Sequence, residues 1–378
     1  MSTNSITTLN QTPMKHRDYL FDNYKALLIL LVVVGHFTEP CYRNTEFLNT
    51  IKWLIVSFHM PAFIFISGYF SKKELPLSVI IRKLAVPYLV YEIVYYFFYT
   101  LILHKKTGLY LLYPKFSLWY LLALFVWRAV TPYIKKIPYY MIFSVIAGLL
   151  IGCSGMKSNY LSLPRILFFY PFFLAGMNFT RESVAKIRTA AVRRVSLAGI
   201  LLFTVFLAFS PVRNLYSSKI FYGRYSYELL EQSIPEGILC RLLCYGIGFF
   251  MTFAIMALIS EKQTFYSYIG TRTMAIYLFH GLTYSYLKEC TTLLKNVDTA
   301  GETALLLGFC LVLTVAFSTP KLTAFTNRIS NLRLPDFAVS RTKRPRVWLH
   351  QKALVFRWDL KHWKPDYCLR QTYLQVGR

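Results

Sequence analysis

Charge is scarce in this chain of 378 residues: Asp, Glu, Lys and Arg make up 16% of it, against about a quarter in an ordinary globular protein. Acidic residues are rarer still, 17 against 43 Lys and Arg, for a formal net charge of +26. Few charges combined with 55% apolar and 17% aromatic residues exclude a disordered chain and do not fit a soluble domain. The seven cysteines form no CxxC pair and several lie inside apolar runs, so they read as small buried hydrophobes. Cys240 and Cys244 stand one helical turn apart with no His or carboxylate nearby, a poor metal site. Met1 to Met14 lacks the basic start, apolar core and small-residue cleavage site of a signal peptide, so the first apolar span is expected to stay in the mature protein. No Gly-rich phosphate loop is evident, and neither a metal nor a resident cofactor is expected.

What the sequence does have is repeated apolar runs with short basic punctuation, at a mean hydropathy of +0.41. A spanning helix needs about 20 mainly apolar residues. Ten stretches qualify, near 19–38, 51–70, 79–103, 117–134, 138–154, 161–179, 195–212, 236–260, 264–287 and 303–320. The first, fourth and ninth are weakest, because they carry Asp22 and Lys25, Arg128, and Arg272. The expected fold is therefore all-α, a polytopic membrane protein of about ten transmembrane helices with a basic cytoplasmic tail. With the N-terminus inside, 30 of the 43 Lys and Arg fall on the cytoplasmic side, as the positive-inside rule requires with both termini there. The organisation reads as a polar N-terminal segment 1–18, a transmembrane domain 19–320 and a tail 321–378 with 13 basic and 3 acidic residues. Bases and aromatics interleave in that tail (Trp348, Phe356, Trp358, Trp363, Tyr367), which suits the headgroups of an anionic leaflet as well as a solvated extension. The bases lie between and after the spans, so no nucleic acid is expected as partner.

Ionisable groups inside a span are costly and mark functional candidates. In FDNYKALLILLVVVGH, Lys25 and His36 lie only ~20° apart around a helix and ~16.5 Å apart along it. Asp22 falls on the same side and can pair with Lys25. With Lys25 at the cytoplasmic boundary, His36 is expected near mid-membrane. His59 and His280 reach a similar layer from other spans, although each also suits plain interhelical hydrogen bonding. Glu92 is a possible interior carboxylate, with pairing to a basic neighbour as the alternative. Pro61 and Pro87 are expected to break their helices locally. A neutral imidazole in a cavity can take a proton from an alcohol attacking an activated acyl group, and a cation three turns away can hold a donor's phosphates. The same groups suit a proton-coupled transporter or flippase of a glycan precursor, with His36 relaying a proton and Lys25 binding an anion.

Lys25 and His36 with ten residues between them are followed in order by FHMPAFIFISGYF, IRKLAVPYLVYE, SLWYLLALFVWR and TMAIYLFHG. Over residues 17 to 320 this order resembles the acyltransferase 3 family of integral-membrane O-acyltransferases, closest in flavour to the fucose 4-O-acetylase-like group. The resemblance implies transfer of an acetyl or other short acyl group from acyl-CoA to a hydroxyl of a cell-envelope or exported glycan or its precursor. It implies His36 as catalytic base with Lys25 and Asp22 in the same motif. The family more often has Arg where Lys25 stands, and lysine lacks the planar fork for bidentate phosphate binding. His59, Trp119, His280 and Glu92 are expected to line the substrate cavity. Lys25, Arg82 and Lys83 are expected at the donor's phosphates, although Arg82 and Lys83 also fit ordinary membrane anchoring. The expected partners are thus acyl-CoA, a glycan or sugar acceptor and a cell membrane with an anionic cytoplasmic leaflet; the sequence sets no oligomeric state.

Overall fold

The computed structural model describes residues 17–155 and 160–330. The polar segment before residue 17 and the tail beyond residue 330, with its tryptophans, lie outside the described residues. Every regular element among the described residues is helical, as the long apolar runs and the shortage of alternating patterns dictate. The chain is a multi-pass membrane protein: seven described helices are long and apolar enough to cross a bilayer.

In chain order the first helices are α1 (Tyr19–Phe37), α2 (Glu46–Tyr69), α3 (Leu77–Ile80) and α4 (Val86–Phe97). A π turn over Ile81–Ala85 joins α3 to α4, and a second over Phe98–Ile102 ends that passage. A 3-10 turn, Phe116–Leu118, leads into α5 (Trp119–Ile134), followed by α6 (Tyr140–Leu150), α7 (Leu163–Asn178), α8 (Arg181–Ile187) and α9 (Ala190–Phe209). The single turn α10 (Val212–Leu215) opens a long connection to α11 (Ile234–Leu258). After the single turn α12 (Ser267–Gly270) come α13 (Thr273–Cys290), α14 (Ala300–Phe317) and α15 (Pro320–Ser330).

All ten expected stretches are thus helical, but of the three that charge singled out as weak only the ninth falls outside the seven spans. The first and fourth stand among the seven spans despite Asp22, Lys25 and Arg128. The third, fifth and ninth do not: π turns interrupt the third, α6 is short, and α13 is more polar. Pro61 leaves α2 unbroken over 24 residues, contrary to expectation. Pro87 sits in the first turn of α4, where its missing N–H costs little, and the irregular π turn precedes it.

Packing ranks the helices. α1 is the most enclosed span, with 72% of it buried, whereas α9 is 11% buried and presents Leu202, Val205 and Phe209 outward as a lipid-facing helix would. α2 and α7 cross where small residues let backbones meet. A Cβ on Gly68 would lie 2.0 Å from the Phe173 carbonyl oxygen, and one on Gly176 would lie 1.9 Å from that of Phe65.

Contacts between connections sort the bundle into two ends. At one, Asn44 donates to Lys295 O and Asp298, Lys105 pairs with Glu289, and Arg213 pairs with Glu46. At the other, Arg181 pairs with Asp18, Asn23 donates to Ser260 O and Lys262 O, and Arg272 donates to Ser318 O. His36 belongs to the first end and Lys25 to the second.

Candidate active site

A cavity of about 290 Å³ opens beside the last turn of α1. Val32, Gly35, His36 and Glu39 line it from α1 and the residues just after it, while Lys52, Val56, His59 and Met60 line it from α2. Both sets follow the three-to-four-residue spacing of a single helix face. His36 lies one residue before the end of α1, not at its midpoint, and is half-buried there, with Thr38 and Cys41 of the following connection at 0% exposure. Gly35 lets α2 approach at this level, since a Cβ there would come 3.2 Å from Ile55.

The end of α1 is held by a buried cation. Lys52 is 2% exposed; its ammonium donates to the Gly35 carbonyl oxygen at 2.6 Å and also bonds the Glu39 carboxylate. A cation at a helix C-terminus meets carbonyls that have no partner within the helix. The Tyr222 hydroxyl donates to the same Glu39 oxygen at 2.8 Å, tying the connection after α10 over the cavity mouth. Burial and the Glu39 carboxylate push the Tyr222 phenol well above its ordinary pKa, so it stays a donor at any physiological pH.

The opposite wall is positioned by Glu92. Its carboxylate is fully buried, accepts the Lys115 backbone N–H at 2.7 Å and lies 3.3 Å from the Lys115 ammonium. Glu92 does not line the cavity; it pins the chain just before Phe116, which takes the left-handed conformation (φ 45°) and turns its ring 4.7 Å from the His36 ring. Tyr95 and Tyr284 flank Phe116 at 6.3 and 5.3 Å.

The three histidines differ in how their nitrogens are used. His59 has Nδ1 2.7 Å from Ile55 O, and His280 has Nδ1 3.0 Å from Ile276 O. Donation from Nδ1 to these carbonyls leaves Nε2 as the basic nitrogen of each ring. His280 is fully buried behind the lining, 5.4 Å from the His36 ring, and its Nε2 has no hydrogen-bond partner. His36 makes no hydrogen bond to another described residue while facing the cavity, so its nitrogens are available to a ligand.

Trp119 lines the cavity and carries the Arg165 guanidinium 4.9 Å from its ring centre. Lys25 and Asp22 are not with His36. Asp22 is paired with Arg17 at 2.8 Å and with Lys25 at 3.1 Å, at the other end of α1. Arg82 and Lys83 are exposed on the π turn before α4, away from the cavity. Reading the sequence missed Glu39, Arg165, Tyr222, Arg224 and Lys288 as cavity residues and took Lys52 only as a boundary marker. Lys52 and Arg165 had a legible signal, a lone cation inside an apolar run. Glu39, Tyr222 and Arg224 sit in connections, where no periodicity points inward, and Lys288 lies in the last turn of α13 among other polar residues.

A family model described as an acyltransferase domain matches residues 18–320. A stretch of 59 residues is 46% identical to Nodulation protein NolL of Sinorhizobium fredii (strain NBRC 101917 / NGR234), covering 15% of this chain and 16% of that protein. The match thus spans about a sixth of that relative's length. No solved structure matches the chain.

Proposed function

The chain belongs to the acyltransferase 3 family, and on that premise we propose that it moves an acetyl or other short acyl group from acyl-CoA to a hydroxyl of a cell-envelope or exported glycan or its precursor, in the manner of the fucose 4-O-acetylase-like group. The observation that carries this reading is His36, whose imidazole faces a cavity lined by several charged side chains with no hydrogen bond from another described residue to occupy it. In the reaction His36 accepts the acceptor's hydroxyl proton as that oxygen forms a bond to the thioester carbonyl carbon. The carbon–sulfur bond then breaks, and the proton held on His36 is free to return to the departing thiolate. No metal takes part. His59 lines the same cavity, and His280, buried behind His36, keeps that ring in place.

Lys25, with Asp22 orienting its ammonium, and the exposed Arg82 and Lys83 receive the donor's phosphates at the opposite end of α1, ~16.5 Å from His36 by helical rise. That end also carries Lys72, Lys73, Arg181 and Lys186, so we place it, with both chain termini, at the cytoplasmic face of a cell membrane.

The test is acyl transfer by reconstituted protein from labelled acetyl-CoA to an envelope glycan acceptor. Loss of a general base costs about 10²- to 10⁴-fold in rate, so His36→Ala should fall in that range. Lys25→Ala should raise the KM for acetyl-CoA. Normal transfer by His36→Ala would remove the proposed chemistry, and loss of glycan export with transfer intact would favour a carrier.

A further inference from the structure

The cavity beside His36 is cationic, and the one carboxylate that lines it among the described residues is already used. Lys52, Arg165, Arg224 and Lys288 line it together with Glu39. Glu39 is bonded by Lys52 and Tyr222. Arg165 is half-buried and makes no hydrogen bond or ion pair to another described residue; its guanidinium lies over the Trp119 ring, 4.9 Å from the ring centre. Trp119 in turn stacks on Phe169 at 5.7 Å, so the guanidinium rests on a fixed aromatic plate with its N–H groups free for a ligand. A guanidinium held inside a helix bundle without an acidic partner is costly unless something brings the missing charge.

We propose that the ligand of this cavity carries an oxyanion, received by Arg165. The proposal rests on reading the His36 cavity as the acceptor's site, and it narrows the acceptor to an acidic glycan: a uronate-type carboxylate or a sugar joined to phosphate. A guanidinium suits either group, because its planar fork matches the oxygen spacing of carboxylate and phosphate alike. Arg165 is then a specificity-determining residue, Trp119 its support, and His36 remains free for the hydroxyl.

Binding tests this without acyl transfer. The full chain, purified in detergent, is heated with glucuronate, inorganic phosphate or glucose at matched ionic strength, since a ligand of the folded state raises the melting temperature by mass action. Stabilisation by glucuronate or by phosphate, but not by glucose, is expected, and the anion that acts identifies the source of the charge. Arg165→Gln should weaken that binding on the order of tenfold or more, and Arg165→Lys should retain part of it. The melting temperature of each variant without ligand separates lost binding from lost folding. Equal effects of glucose and both anions, or full stabilisation of a folded Arg165→Gln protein, overturns the proposal. Transfer to neutral acceptors without anion binding would sink this inference and leave the acyltransferase reading standing. Anion binding at Arg165 without transfer to any acceptor would do the reverse.

Discussion

Phe116 presses its ring to within 4.7 Å of the His36 ring, although the two residues come from different helices and Phe116 must adopt a left-handed backbone to do so. That conformation costs a non-glycine residue roughly 1–2 kcal/mol. The buried Glu92 carboxylate offsets it by gripping both the backbone N–H and the ammonium of Lys115, the preceding residue. Glu92 therefore acts on His36 through Lys115 and Phe116, as a positioning residue.

Lys115→Met should leave Glu92 as a buried carboxylate without its counter-ion. Removing one partner of such a pair costs about 3–5 kcal/mol. Thermal unfolding in detergent should show a large drop, and acyl transfer should fall with it as Phe116 loosens. Glu92→Gln, which can still accept the Lys115 N–H, should be milder on both measures; a harsher outcome for Glu92→Gln would mean that the carboxylate has a direct part in the reaction.

Lys52 and Glu39 should behave as one unit, since each holds the end of α1 through the other. Lys52→Met should destabilise the protein and slow transfer. Made in a Glu39→Gln background it should cost less, with a coupling of about 0.5–3 kcal/mol in a double-mutant cycle. Strict additivity in melting experiments would show that the pair does not organise the cavity mouth.

Gly68 and Gly176 set the approach of α2 to α7, and neither has room for a Cβ. Gly176→Ala should force the helices apart, at a cost of about 1–3 kcal/mol from overpacking. The shift should reach the His36 cavity, because α2 also supplies Lys52 and His59. Unchanged melting temperature and transfer rate in Gly176→Ala would contradict this close crossing.

Cysteine labelling tests sidedness. Cys290 is exposed at the cavity end of α13, whereas Cys41 is buried, and burial pushes its thiol up to about 11. A raised pKa leaves little thiolate below that pH, so Cys41 should resist maleimide at pH 7. A membrane-impermeant maleimide applied to intact cells should modify Cys290 and a cysteine introduced in the 213–233 connection. Modification of these sites only after the cells are opened would reverse the orientation.

Much of the architecture was legible because lipid imposes a simple code. Apolar runs of about 20 residues give the helices, and all ten stretches are helical. The interruption at α3 and α4 was not legible, since π turns arise from packing rather than composition. The place of His36 and His59 in apolar segments points to a shared interior layer and the family resemblance adds Trp119, and the structure sets all three on one cavity wall or another. Glu92, an ionisable group in another apolar segment, lies elsewhere, because a buried carboxylate is satisfied by whichever cation the fold brings to it, and that cation is Lys115.

The sequence by itself determined that the chain folds as membrane helices and that charge inside them must be answered by a partner or a ligand. Helical periodicity aligned Lys25 with His36 along α1, and the packing of Thr38 and Cys41 just after it set His36 on a cavity wall. Only the tertiary structure decided which charges were answered. It gave Glu92 to Lys115, gave Glu39 to Lys52 and Tyr222, and left Arg165 on its tryptophan facing the cavity. These pairings join residues from separate helices and connections, and the local pattern within a helix carries no record of what another helix will set against it.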